Sequence, residues 1–158
     1  MAVTFRPLLA TLGLSALLLV PASAQALEVD KAIEYRQDAL RVMAWQLGPM
    51  GDMAQGDIDY DAEAFARRAS NLAAVSHLPW EGFIEGSLRN DGHGIETRAL
   101  AAIGDDWADF EERQATLRQE AATLAEMAEA GEEFNALRRQ VGAVVNSCRA
   151  CHDNYRAD

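Results

Sequence analysis

Two cysteines and a histidine lie close together near the end of this 158-residue sequence, in the stretch CRACHDNYRAD. Cys148 and Cys151 are three residues apart, and His152 follows Cys148 by four. On a helix, residues at these spacings share a face. We therefore expect both thiols and the imidazole to point into the protein interior, in the same direction as Val141 and Val144.

Two of the chemistries open to this arrangement are a disulfide and a metal or redox site. An exported chain with an even cysteine count could form a disulfide. However, a bridge across one helical turn closes a very small loop and adds little stability, and it leaves His152 unexplained. A zinc site usually needs four ligands, and only His77 and His93 remain as further nitrogen donors. A redox CxxC of the thioredoxin type belongs near a strand–helix junction rather than at the end of a helix.

The third chemistry is covalent attachment of haem, for which C-x-x-C-H is the signature. Two thiols one helical turn apart can form thioethers with the two vinyl groups of the porphyrin, and the adjacent imidazole can then ligate the iron. Because only six residues follow His152, a sixth iron ligand would have to come from an earlier helix. Met43 and Met50 could serve, although methionines in such positions usually fill the core. The motif favours haem over the other two chemistries.

The first 26 residues have the layout of a secretory signal peptide. The stretch MAVTFRPLLATLGLSALLLVPASAQA has one arginine, then an apolar run, then small residues, and cleavage after Ala24 or Ala26 fits this pattern. A membrane anchor is the alternative, but the apolar run over residues 8–20 is too short to span a bilayer, and Pro21 ends it. We therefore expect residues 1–26 to be removed on export. Residues 27–158 should form one domain in the periplasm, without attachment to the membrane.

The charge of the chain limits its partners. Asp and Glu number 25 against 14 Lys and Arg, which gives a formal net charge of −11. Removal of residues 1–26 takes away Arg6 and no acid, so the mature charge becomes −12. Nucleic-acid binding needs clusters of basic residues, so this balance argues against a nucleic-acid partner.

The remainder of the sequence predicts an all-α domain. Good helix formers dominate, and no run alternates between apolar and polar residues as a strand would. Apolar residues recur at steps of three and four in four segments. The segments cover residues 30–54, 61–77, 105–130 and 132–155. The first two and the last two are joined by short links, with a longer crossing between the pairs, so we predict an antiparallel up-down four-helix bundle.

Several residues should define these helices. We expect Asp30 to cap the first helix, and Pro49 to kink it or start its last turn. In the third helix we expect Trp107 to be buried, and Gly131 stands where a helix usually stops.

Three motifs resemble the cytochrome c′ family, the class II c-type cytochromes. They are the C-terminal CRACHDNYR, the N-terminal AIEYRQDALRVM and the middle LPWEGF, and together they cover the mature chain. Cytochrome c′ is itself a standard example of an up-down four-helix bundle. The resemblance implies one covalently attached haem c per chain, held by Cys148 and Cys151, with His152 as the proximal iron ligand. Where family members often have Ile-Trp, this chain has Ile103-Gly104, so the resemblance does not predict how its third helix begins.

The resemblance also implies roles for residues outside the C-x-x-C-H motif. Arg36 matches the partner of a haem propionate, and Leu40 matches the apolar residue over the open distal face of the haem. Trp80 and Phe83 match aromatic residues packed near the haem. Arg156 matches the basic residue beside the proximal histidine.

Each of these residues also has a plainer explanation. Arg36 is the one charge on an apolar stripe, and its head could snorkel to water. Leu40, Trp80 and Phe83 could simply pack in the core. Arg156 could be a solvated charge that interacts favourably with the helix C-terminus.

Two functions follow from the resemblance. The first is a five-coordinate, high-spin haem protein that binds NO and CO and undergoes one-electron redox change. The second is a six-coordinate, low-spin electron carrier. No paired carboxylates or Ser-His-Asp set suggests an enzyme. The resemblance further implies a homodimer joined through the first two helices, while the redox partner stays unidentified.

Overall fold

The structure is a computed structural model that describes residues 22–158, with side chains from residue 28 onward. The apolar run at residues 8–20 lies outside the described residues. The signal peptide therefore stays a prediction.

The described chain is helical, and the predicted all-α four-helix bundle is confirmed. The elements in chain order are α1 (Ala22–Gln55), α2 (Ala62–Val75), a 3₁₀ turn (Pro79–Gly82), α3 (Ala102–Asp105), α4 (Trp107–Glu129) and α5 (Phe134–Tyr155). The four long helices α1, α2, α4 and α5 form the bundle. Within residues 22–158, no helix has the length and apolarity needed to cross a membrane.

The ends of α2 and α4 are set by local sequence. Asp61 precedes α2, and its carboxylate accepts a hydrogen bond from the backbone N–H of Ala64 at 3.0 Å, which satisfies an otherwise unpaired donor. Gly131 follows α4 with a φ of +70°, a conformation that favours glycine, and it ends the helix as predicted.

The start of α1 differs from the sequence prediction. Asp30 does not cap this helix, because the backbone is already helical from Ala22. The Asp30 carboxylate instead accepts a hydrogen bond from the Gly94 N–H at 2.9 Å, and so ties α1 to the long crossing segment. Pro49 lies inside α1 and does not end it, since the helix continues to Gln55.

The start of the third long helix, α4, also differs from the sequence prediction. Residues 102–105 form the separate short helix α3, and Asp106 then caps α4 through the N–H of Asp109. Trp107 was predicted to be buried, but its side chain is 42% exposed. The prediction was wrong because Trp107 is the first residue of α4, and Phe110, three residues later, occupies the core position at 1% exposure.

The main core lies between the four long helices. Its fully buried members include Met50, Phe65, Leu72, Leu124 and Val144. The closest packing joins α4 to α5, α2 to α4, and α1 to α2, whereas α1 and α5 meet less extensively. Among the neighbouring pairs of long helices, the helix with the C-x-x-C-H motif and the helix with Arg36 and Leu40 therefore have the least extensive contact.

Removal of side-chain volume from this core should destabilise the fold strongly. Leu124 is completely buried, so Leu124→Ala should lower the free energy of unfolding by about 2–5 kcal/mol, because it leaves a cavity. Leu78, which is 42% exposed, provides the matched control, and Leu78→Ala should change that free energy by no more than about 0.5 kcal/mol. Urea denaturation of both variants measures the difference, and equal losses would contradict this core assignment.

The C-terminus is anchored to the crossing segment. Ala99 and Arg156 form an isolated antiparallel bridge, in which the Leu100 N–H donates to the Tyr155 carbonyl and the Ala157 N–H donates to the Arg98 carbonyl, both at 2.9 Å. The last turn of α5, with its histidine, is therefore held in place by backbone hydrogen bonds.

Candidate haem site

The residues of the C-x-x-C-H motif lie near the end of α5, and the two thiols of the motif contact different parts of the core. Cys148 is half-buried against the main core. Cys151 is half-buried against a second cluster that includes Ile103 and Phe110. Both thiols are free in the structure. His152 is exposed in the last turn of α5, although its imidazole is partly shielded from water.

The surroundings disfavour the charged forms of the two thiols and of the imidazole. Burial raises the pKa of the Cys148 thiol, and it raises the pKa of Cys151 to about 11, an effect that the positive charge of Arg113 opposes. Partial burial lowers the pKa of His152, and the nearby positive charge of Arg156 lowers it further. A neutral imidazole is the form that ligates a metal.

Arg36 is a buried cation on α1. It is only 2% exposed, so the snorkelling explanation is wrong. Four hydrogen bonds hold its guanidinium, and they run to the carbonyls of Gly82 and Ser87 and to the hydroxyls of Ser87 and Thr97. Among the described residues, no carboxylate forms an ion pair with it. Burial lowers its pKa to about 10, which reflects the cost of holding this charge away from water.

The 3₁₀ turn brings Gly82 against α1 at this point. A Cβ atom at residue 82 would lie 2.6 Å from the Ala32 carbonyl oxygen and 2.7 Å from the Cβ of Arg36. Only glycine permits this close approach, which places the Gly82 carbonyl within 2.9 Å of the guanidinium.

An aromatic cluster lies next to Arg36 and Cys151. The Arg36 guanidinium lies 4.4 Å from the centre of the Phe83 ring, a cation–π contact. Trp80 and Phe83 stack with ring centres 6.2 Å apart, and Phe83 meets Phe110 edge-on at 4.9 Å. The Trp80 indole N–H donates to the Ser76 carbonyl at 2.7 Å, which fixes the ring in place. The two aromatic residues of the LPWEGF motif are thus brought together with Arg36.

Leu40 lies on α1 one turn after Arg36, half-buried against the main core. Met43 and Met50, the alternative ligands, are 5% and 0% exposed and belong to that core. Packing accounts for both methionines fully.

Arg156 and the remaining histidines lie at the surface or in loops. Arg156 is exposed, and its backbone N–H caps α5 by donating to the His152 carbonyl at 3.1 Å. His77 is exposed. His93 is half-buried in the crossing segment, where Nε2 lies 2.7 Å from the Leu88 carbonyl oxygen.

Sequence reasoning missed a polar group beside the motif. Asp109 and Arg113, one turn apart on α4, form an ion pair, and the Tyr155 hydroxyl donates to the Asp109 carboxylate. The hydrogen bond to Asp109 raises the pKa of Tyr155 to about 12. The spacing of four between Asp109 and Arg113 was a usable signal for the pair, but nothing in the sequence showed that α4 would place it against Tyr155.

The Asp109 carboxylate should make the free energy of unfolding depend on pH in the acidic range. Hydrogen bonds from Arg113 and Tyr155 lower its pKa in the folded chain. In acid, the unfolded chain therefore binds more protons than the folded chain does. The contribution of Asp109 to the free energy of unfolding is fully present above about pH 4, and it is lost as the pH falls through the lower pKa of the folded state. Asp109→Asn should lower the free energy of unfolding at pH 7, and its difference from wild type should shrink below pH 4. Asp38→Asn removes the acid of an exposed ion pair, and it should change the free energy of unfolding little at pH 7 or below pH 4.

The described residues fit a haem group. Cys148 and Cys151 supply two thiols at the attachment spacing, and His152 supplies a neutral imidazole next to them. Arg36 supplies a buried cation that lacks an anion, and buried charges are normally paired. A propionate would provide that anion. The aromatic rings and Leu40 supply apolar walls, and they lie on or next to α1, which packs against α5 less extensively than α4 does.

Comparisons with known proteins identify the family of the chain. The sequence matches the family model described as Cytochrome C′ over residues 31–156. It is 70% identical over 131 residues to the cytochrome c′ of Halomonas halodenitrificans, a match that covers 83% of this chain and 99% of that protein.

Solved structures share the fold. The chain is similar to cytochrome c prime from Shewanella frigidimarina, with a TM-score of 0.75, 38% identity, and coverage of 82% of this chain and 97% of that one. It is also similar to the nitric oxide complex of a leucine-to-isoleucine variant of cytochrome c prime from Alcaligenes xylosoxidans, with a TM-score of 0.71, 33% identity, and coverage of 82% and 97%. Membership of this family implies a c-type haem. The C-terminal motif, the helical bundle and these relatives together show that the chain belongs to the cytochrome c′ family.

Proposed function

We propose that this chain is a periplasmic haem protein with a five-coordinate, high-spin iron that binds NO and CO. The observation that carries the proposal is the placement of Leu40, which has no ligating atom, one turn from the buried cation Arg36 on α1, a helix that packs against α5 less extensively than α4 does. When bound, the haem supplies an iron that can accept a diatomic gas as a further ligand and can change its oxidation state by one electron.

The residues of this chain have distinct tasks in the proposal. Cys148 and Cys151 would hold the group covalently, and His152 would supply a nitrogen ligand to its iron. Arg36 would pair with a propionate, while the positive charge of Arg156 adds to the effect of burial in lowering the pKa of His152. These tasks are binding and electrostatic, so we propose no catalytic turnover.

The apolar surroundings of Leu40 account for the choice of ligand. Leu40, Trp80 and Cys148 all pack against the main core, and Phe83 packs against the second cluster. Water and anions lose hydration in such surroundings, whereas neutral diatomic gases lose very little. The nitric oxide complex of the related Alcaligenes protein supports NO as a ligand.

The competing proposal is a six-coordinate, low-spin electron carrier. Met43, one turn after Leu40, would be the internal ligand, but its burial in the core between the helices is explained by packing. A carrier of this kind would bind no external gas without losing its own ligand.

Titration of the ferrous protein with CO separates the two proposals. A high-spin spectrum that converts with CO in a single saturable step is expected. A low-spin spectrum that CO leaves unchanged would contradict gas binding and support the electron carrier. The protein should be produced with a haem-attachment system and purified from the periplasm, which also tests the proposed location and removal of residues 1–26.

A second copy of the chain is the partner that the exposed face of α1 fits. Tyr35, Val42 and Trp45 are spaced by seven and three residues, so they share a face, and they are 38%, 45% and 71% exposed. Large apolar side chains grouped on one helix face favour association with another surface.

Trp45 should dominate this association. Trp45→Glu should weaken dimerisation at least tenfold, because loss of a central interface tryptophan costs more than about 1.4 kcal/mol. Trp107→Glu, on α4 and 42% exposed, is the control and should leave the dimer intact. Sedimentation of both variants measures the change, and a wild-type protein that stays monomeric would contradict the proposal.

A further inference from the structure

Two residues of α4 hold the haem-binding turn of α5 from both sides. Arg113 Nη1 donates to the Ala150 carbonyl at 2.8 Å, directly before Cys151. Asp109 accepts the hydroxyl of Tyr155, three residues after His152. Arg113 and Asp109 are joined to each other by two hydrogen bonds, from Nε and from Nη2. We call this pair the α4 clasp.

The α4 clasp is partly shielded from water and carries two opposite charges. The side chains of Arg113 and Asp109 are 26% and 34% exposed. The Arg113 guanidinium also lies over the Tyr155 ring, 5.8 Å from its centre. Its positive charge acts on Cys151, which the proposed function makes an attachment point of the haem. A fixed charge in this position interacts with any change of charge at the neighbouring group.

We propose that Arg113 is a positioning residue that favours the ferrous state of the iron, and that Asp109 offsets this effect while it orients the guanidinium. This inference rests on the proposed attachment of haem to Cys148 and Cys151. Reduction transfers one electron from an external one-electron donor, such as an electrode, to ferric iron, and lowers the charge there by one. A nearby cation stabilises the product of that step, and a nearby anion destabilises it.

The charge effect can be distinguished from a purely mechanical one. Loss of either partner breaks the clasp, so a mechanical role predicts shifts in the same direction for both variants. An electrostatic role predicts opposite shifts, because one variant removes the cation and leaves Asp109, while the other removes the anion and leaves Arg113. Tyr155→Phe removes the hydrogen bond between Tyr155 and Asp109 without a change of charge. It is therefore the control for the loss of a structural contact alone.

The experiment is a spectroelectrochemical titration of the haem-loaded protein at pH 7. At a fixed electrode potential, Arg113→Gln should lower the ferrous-to-ferric ratio roughly threefold or more, because it removes a partly shielded positive charge next to Cys151. Asp109→Asn should raise the ratio. Arg113→Lys should restore most of the wild-type ratio, and Tyr155→Phe should change it less than either charge variant.

Shifts of the same sign in Arg113→Gln and Asp109→Asn, or no shift in Asp109→Asn, would overturn the inference. If Arg113→Gln does not fold, Arg113→Met tests the same loss of charge, and a ratio unchanged from wild type in that variant would equally overturn it. Wild-type protein without covalent haem would be a failure of the proposed function instead, and that result is visible before any titration begins.

Discussion

The double variant Cys148→Ala/Cys151→Ala should lose all covalently bound haem. Both sulfurs lie one helical turn apart at the inner side of α5, and no other cysteine exists in the chain to form a thioether. Extraction with acidified acetone should remove every trace of haem absorbance from this variant, whereas wild-type protein should keep its Soret band. The effect is complete loss rather than weakening, because the bond itself is absent.

Ser147→Ala provides the matched control for that variant. Ser147 is buried on the same turn of α5 and donates to the Val144 carbonyl, so its loss perturbs the helix without removal of a sulfur. This control should retain haem through the extraction. Acid-stable haem in the double cysteine variant would show that the attachment site lies elsewhere.

Leu40→Met should convert the iron from five- to six-coordinate and suppress gas binding. The substitution conserves volume, so the core around α1 should tolerate it. A thioether sulfur at this position would occupy the face that Leu40 covers in the proposal. If the internal ligand is bound nine-tenths of the time, the apparent affinity for CO falls about tenfold, because only the remaining fraction can bind gas.

Leu47→Met is the control for this second prediction. Leu47 is also half-buried on α1 against the same core, but it lies almost two turns beyond Leu40. The ferrous spectrum and CO affinity of Leu47→Met should match wild type. An unchanged spectrum in Leu40→Met would count against Leu40 as the residue over the open face.

The bundle itself was predictable from the sequence because amphipathic periodicity determines which residues are buried. The apolar stripe of α1 includes Val29, Ile33 and Met50, which are all buried, and Gly131 ends α4 as predicted. The errors arose where local signals compete. Asp30 is a good capping residue, yet the chain before it is already helical. Trp107 is large and apolar, yet Asp106 starts α4 directly before it and leaves the ring at the surface.

The motif of the candidate site was predictable, but its surroundings were not. The C-x-x-C-H spacing is a local property, and so is the position of Arg36 on an apolar stripe. The acceptors of the Arg36 guanidinium come from residues 46 to 61 positions away, at Gly82, Ser87 and Thr97. Such contacts depend on how the crossing segment folds back onto α1, and no periodicity in the sequence determines that path.

The central claim is that one haem joins Cys148 and Cys151, and mass spectrometry of a tryptic digest tests it most directly. Trypsin cleaves after Arg139, Arg149 and Arg156, so the two cysteines fall on separate peptides, residues 140–149 and 150–156. One product that contains both peptides and a single haem is expected, and a thiol reductant should not separate its two peptides. Two unmodified peptides, or a haem-free pair that reductant releases, would contradict it.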